Sequence, residues 1–152
     1  MLAAGTKAPA FRLATLDGSE TTLAETLEAG PAVLAFFKIS CPTCRYSLPF
    51  LQRMAGSDRA RMVAISQDDA AGTNEFHQEF GITMPTLLDH KGYAVAKAFE
   101  ITHVPSIFVV EPDGAISKSF MGFSKDDFEE LGARLGVAPF RDGERVQRFK
   151  PG

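Results

Sequence analysis

Tryptophan is absent from the 152 residues, and tyrosine and cysteine occur only twice each. With so little else aromatic, thirteen Phe must supply the aromatic part of any core. Two cysteines make a poor disulfide framework for a secreted scaffold. They also fall short of a structural zinc site, which needs four ligands. There is no second Cys pair, and His77, His90 and His103 are scattered. No metal and no cofactor are expected. Charge of one sign is not in excess: the formal net charge of −3 gives no reason to expect a nucleic-acid partner. Long apolar runs are missing as well. The longest, Ala32 to Phe37, falls far short of the ~20 residues a spanning helix needs, so no membrane span is expected. The start, Met1-Leu2-Ala3-Ala4-Gly5-Thr6-Lys7, lacks a basic stretch followed by an apolar one. No signal peptide is read and a cytoplasmic place is expected; an exported place follows instead if a leader has been removed.

What is present suits one soluble globular domain. The hydrophobic fraction is 45% and the charged fraction 23%, and the length allows a single sizeable core. No internal repeat, low-complexity stretch or long linker interrupts it. A single domain over residues 1–140 is expected, followed by a polar stretch over 141–152. That stretch has no clear period and reads as an arm on the surface or a disordered tail.

The pattern predicts strands alternating with helices, then a hairpin and a last helix. Phe11 to Leu16 reads as a strand ending in the Asp17-Gly18 turn, with Thr21 to Leu23 returning. Ala24 to Ala29 reads as a short helix closed by Gly30-Pro31. Ala32 to Phe37 is a continuous apolar run, as in a strand buried on both faces. After Cys41-Pro42-Thr43-Cys44 comes a helix with Cys44, Leu48, Leu51 and Ala55 on one face, interrupted by Pro49. Arg61 to Ser66 reads as a strand, Thr73 to Phe80 as a helix stopped by Gly81, and Thr86 to Leu88 as a short strand. Tyr93 to Phe99 reads as a helix with Tyr93, Ala96 and Phe99 inward. Ile107 to Glu111 and Ala115 to Phe120 form a hairpin around Asp113-Gly114. Ser124 then caps a helix with Phe128, Leu131 and Leu135 on its apolar face, ended by Gly136. This order implies an α/β fold with a mixed central sheet flanked by helices and an N-terminal hairpin extension.

Cys41 stands between a buried strand and a helix. There its sulfur meets unpaired backbone N–H groups at the positive end of the helix dipole. Both favour thiolate, the attacking species. Pro42 suits the first helical turn, where its missing N–H has no partner anyway. Cys44 follows one turn later, within bonding reach. Cys41 attack on a disulfide, followed by Cys44 attack on Cys41, completes a dithiol exchange. Two buried cysteines, or half a zinc site, are the plainer readings of such a pair.

These residues carry a family resemblance. Gly5-Thr6-Lys7-Ala8-Pro9-Ala10-Phe11, Leu16-Asp17-Gly18, Val33 to Phe37, Cys41-Pro42-Thr43-Cys44-Arg45, Pro49, Val104-Pro105-Ser106, Phe108-Val109-Val110, Asp113-Gly114 and Gly122 occur in the order seen in the thioredoxin superfamily. Over roughly residues 5 to 136 the sequence resembles its TlpA/ResA-like redoxins, which are related to the AhpC/TSA proteins. The resemblance implies a thioredoxin-like fold and a thiol-disulfide oxidoreductase that reduces disulfides. It implies Cys41 and Cys44 as catalytic residues, and Pro105 as a cis-proline beside them. Val104 would offer its backbone to a substrate strand. Partners would be a protein or small-molecule disulfide or dithiol, with an upstream reductant or oxidant.

The sequence departs from the family at several positions. Ala35 replaces a buried carboxylate that moves protons, Ser47 replaces a frequent Glu, and Ser40 replaces a Trp. Lys38, three residues before Cys41, adds a charge that would favour the thiolate. Pro42 and Thr43 within the motif, and His103 near Pro105, are candidates for tuning the site. Two other functions remain open. A peroxiredoxin-like thiol peroxidase shares the fold, but usually has Thr where Lys38 stands and Glu where Cys44 stands. A non-enzymatic redox-sensing or partner-binding module would use the fold only as a scaffold.

Overall fold

A computed structural model describes residues 1–152. The first hairpin comprises β1 (Arg12–Thr15) and β2 (Glu20–Thr22). Its turn is held by Asp17, whose carboxylate accepts from Ser19 N at 3.0 Å and from the hydroxyls of Ser19 and Thr15. α1 (Leu23–Thr26) follows, capped by Thr22. It is shorter than the expected Ala24 to Ala29 because the chain tightens into three-residue turns: Glu28 N donates to Glu25 O and Gly30 N to Leu27 O.

β3 (Ala32–Phe37), α2 (Pro42–Met54), β4 (Arg61–Ser66), α3 (Ala70–Phe80) and β5 (Thr86–Leu88) form the centre of the chain. The three strands coincide with the apolar runs read from sequence. α3 begins earlier than expected because the Asp69 carboxylate caps it, accepting from Gly72 N at 2.9 Å. α4 (Ala94–Ala98) corrects the expectation for Tyr93, which is exposed with φ 54°. The helix starts one residue later, and its first N–H groups are taken by the buried Asp89 carboxylate, from Val95 at 3.2 Å and Ala96 at 2.8 Å. Val95, Ala96 and Phe99 face inward instead.

β6 (Ser106–Val110), β7 (Ile116–Met121), β8 (Phe123–Ser124), α5 (Lys125–Leu135) and β9 (Phe149–Lys150) complete the fold. Seven strands make one mixed sheet in the order β2-β1-β5-β4-β3-β6-β7. β3 lies at its heart, parallel to β4 and antiparallel to β6. Alternate residues of β3 feed two cores. Val33, Ala35 and Phe37 pack with α2, α3 and α5; Ala32, Leu34 and Phe36 pack with α1 and α4. All six are fully buried. This is the layered helix–sheet–helix arrangement of a thioredoxin fold, with the hairpin added at the β5 edge. No helix is long and apolar enough to cross a membrane.

Residues 141–152 have no helical or strand period, yet they return to the body. Arg53 forms two bonds to the Glu144 carboxylate, at 2.7 and 2.8 Å. Val146 packs against the core beside α5, and β9 pairs antiparallel with β8.

Candidate active site

β3 ends at Phe37, and the chain turns through Lys38–Ser40 into α2. The turn is fixed by Asp68, whose carboxylate accepts Ile39 N at 2.8 Å, and by Arg45, whose Nε donates to Ile39 O at 3.0 Å. Cys41 therefore occupies the N-cap of α2, and Pro42 the first helical turn. The Cys41 sulfur accepts the backbone N–H of Cys44 at 3.2 Å and lies 3.4 Å from the Val104 carbonyl oxygen. Cys41 is half-buried and Cys44 wholly buried. Both thiols are free.

The two thiols have opposite acidities. Cys41 is lowered from 9.0 to about 6. The main cause is the hydrogen bond from the Cys44 thiol. Backbone N–H groups of Cys44 and Thr43 and the Lys150 ammonium charge add to it, against the opposing cost of burial. Cys44 is pushed far up by burial, reinforced by its bond to Cys41 and by the charges of Cys41 and Asp68. One thiol is therefore ionised near neutrality, and the other holds its proton.

The structure brings Cys41, Pro42, Thr43, Cys44, Val104 and Pro105 together. The Val104–Pro105 bond is cis, and the Pro105 carbonyl accepts Gly122 N at 2.8 Å. Lys38 is exposed and contributes through its backbone: its carbonyl accepts Cys41 N at 3.2 Å, and its N–H bears on Cys44. The ammonium that bears on Cys41 belongs to Lys150. His103 is exposed, with its ring Nδ1 3.0 Å from the Thr102 hydroxyl. Its carbonyl accepts the Ser106 hydroxyl at 2.6 Å, which pins the loop entering Pro105. Ala35 lies in the core, and Ser47 is buried with its hydroxyl unpartnered. No three His, Cys, Asp or Glu side chains converge to hold a metal ion.

Sequence reasoning missed Asp68, Lys150, Pro151 and Gly152. The Thr43 hydroxyl donates to the Pro151 carbonyl at 2.5 Å, across 108 positions of chain. No local pattern announces such a contact. The only signals in that polar stretch were two apolar residues, Val146 and Phe149.

A half-exposed, acidified cysteine at a helix start, its buried partner one turn on, and a cis-proline loop beside the first define a thioredoxin-fold dithiol protein. The chain belongs to the AhpC/TSA family, whose pattern matches residues 4–119. It is similar to the methylamine utilization protein MauD of Methylobacillus flagellatus, with 29% identity over 132 residues, 84% of this chain and 62% of that protein. The chain thus spans less than two thirds of that relative's length. It is also similar to the thiol-disulfide oxidoreductase ResA of Geobacillus thermodenitrificans, with 25% identity over 85% of this chain and 76% of that one. In fold it matches a putative thiol:disulfide interchange protein DsbE from Chlorobium tepidum, with a TM-score of 0.77, 23% identity, and 92% and 100% of the two chains covered.

Proposed function

We propose that the chain is a thiol-disulfide oxidoreductase working in the reductive direction. The observation that carries the dithiol-exchange reading is the asymmetry of the pair: Cys41 half-exposed and lowered to about 6, Cys44 wholly buried and protonated, with the Cys44 N–H 3.2 Å from the Cys41 sulfur; the reductive direction rests on a reducing compartment, not on this asymmetry. The Cys41 thiolate attacks one sulfur of a substrate disulfide. The S–S bond breaks, the other sulfur leaves as thiolate and takes a proton from water, and a mixed disulfide remains. That bond removes the negative charge from Cys41, so one of the influences holding the proton on Cys44 disappears. Cys44 then gives up its proton to solvent, from which the departing substrate thiolate takes one back, and attacks the Cys41 sulfur. The second substrate thiolate leaves, and the protein is left with a Cys41–Cys44 disulfide. Two electrons have passed to the substrate, and an upstream dithiol restores them. The cytoplasmic place expected from the sequence belongs to the same proposal, because a reducing compartment returns the pair to the dithiol.

A thiol peroxidase needs a second cysteine only to resolve a sulfenic acid. Here Cys44 is instead built into the acidity of Cys41, which favours the dithiol reading. Oxidised glutathione, insulin and hydrogen peroxide offered to one reduced preparation separate the functions. The expected result is disulfide reduction that is lost in Cys41→Ser, with peroxide consumed no faster than by a free thiol. Rapid peroxide consumption lost in Cys41→Ser would reassign the chain as a peroxidase. Inertness to all three would leave the partner-binding module.

A further inference from the structure

The groove over Cys41 has three walls: Thr43 at the start of α2, Val104 before the cis-proline, and Gly122 between β7 and β8. The segment Phe149–Gly152 lies against all three. β9 pairs with β8, placing Lys150 opposite Phe123 and Phe149 opposite Ser124. The Pro151 carbonyl takes the Thr43 hydroxyl at 2.5 Å. Gly152 sits so close to Val104 that a Cβ on it would lie 2.6 Å from the Val104 oxygen and 3.3 Å from the His103 Cβ. Across the groove, a Cβ on Gly122 would lie 2.9 Å from the Lys150 oxygen and 3.1 Å from Gly152 N, and Gly122 has φ +73°. Two glycines thus permit a close backbone fit on either side of one extended strand.

A polypeptide disulfide reaching Cys41 needs this same space. Its backbone would extend along Val104 and β8 by strand addition. The hold on Phe149–Gly152 is shallow. β9 is a two-residue pairing, the Phe149 side chain is 61% exposed, and the anchors next in the chain are single bonds, Gln147 N to the Tyr46 hydroxyl and Lys125 N to Arg148 O, each 2.9 Å. Such a segment opens without unfolding the domain.

We propose that Phe149–Gly152 is the specificity-determining segment of this site: it occupies the groove as a peptide substrate would, and sets polypeptide disulfides at a disadvantage to small ones. A small disulfide needs only the half-exposed Cys41 sulfur. A polypeptide must wait for the open state, so its apparent affinity falls by the open fraction. The substrate preference rests on the oxidoreductase reading, whereas the occupancy of the groove does not.

The test uses the full chain and two variants that loosen the segment. Gly152→Val puts a side chain where none fits, and Gln147→Pro removes the N–H that Tyr46 accepts. Rates of the reduced proteins are compared at pH 8.5, well above the value of about 6 at which Cys41 ionises. The expected result is an insulin rate at least tenfold higher in both variants, with the oxidised-glutathione rate of Gln147→Pro within twofold of wild type. Equal factors on both substrates, or no change on either, would overturn the proposal. A second readout needs no turnover. A synthetic peptide of residues 146–152 at millimolar concentration should slow alkylation of Cys41 by iodoacetamide in Gly152→Val and leave wild type unchanged. Absence of protection in the variant would overturn the occupancy. Protection without reaction on either disulfide would support the occupancy and remove the oxidoreductase reading.

Discussion

Cys41 and Cys44 are the same residue type three positions apart, and their surroundings separate them. Cys41 collects donors: the Cys44 thiol, two backbone N–H groups and the Lys150 charge. Cys44 is enclosed by apolar neighbours and by two negative groups. A pH profile follows. Alkylation of Cys41 should rise with pH around a midpoint of about 6 rather than 9.0. Stability carries the same signature. Between about 6 and 9 the folded state holds Cys41 ionised while the unfolded chain still binds that proton, so reduced-protein stability should increase with pH across this window. Cys44 is raised, so above 9 the unfolded chain releases a proton that the folded state retains, and stability falls again. Denaturant melts of wild type and Cys41→Ser check this: the rise between pH 6 and 9 should be smaller in the variant by the contribution of one proton. An equal rise in both would show that Cys41 is not acidified. The sequence made the helix-start part of this acidity legible, because Cys-Pro after an apolar run is a local signal. It pointed to Lys38, which is exposed, and gave no sign of Lys150. Lys150, more than a hundred positions away, supplies the charge.

The elements that position the site were legible where packing and local chemistry agree. β3, β4 and β5 lie where the apolar runs stand, since strands at the centre of a layered sheet have two faces to bury. The Ser124 hydroxyl accepts Asp127 N at 3.3 Å and starts α5, as the spacing implies. Tyr93 was misread because a helical period was extended through a residue with positive φ, while the capping group, Asp89, lies upstream outside the usual offset. β8 escaped notice because two residues leave no period. It is nonetheless a junction. Phe123 is fully buried, with its ring 4.9 Å from Tyr46, 5.7 Å from Phe50 and 4.8 Å from Phe128, centroid to centroid. It joins α2, α5 and β9. Phe123→Ala should destabilise the domain by about 3–5 kcal/mol, the usual cost of deleting a buried aromatic ring. Urea unfolding reads this directly, and a loss below about 1 kcal/mol would mean that the aromatic cluster is not a packed unit.

On the scale of the whole molecule, the chain closes on itself. Its first hairpin extends one edge of the sheet, and its last residues lie beside the cysteines. Order, fold class and dithiol motif could be read from sequence because each rests on neighbours within a turn or a strand. Residues 141–152 could be read only as a surface arm or a disordered tail; where the arm seats could not be read, because its contacts span the length of the domain and follow no apolar stripe. What the molecule does depends on the division of labour between the two thiols. The direct measurement is mass spectrometry of Cys44→Ser and Cys41→Ser after exposure to oxidised glutathione. Cys44→Ser should accumulate one glutathione per chain, bound at Cys41, and Cys41→Ser should accumulate none on the same timescale. Equal trapping in both variants, or trapping at Cys44 alone, would contradict the assignment of Cys41 as attacking thiolate and Cys44 as the resolving thiol.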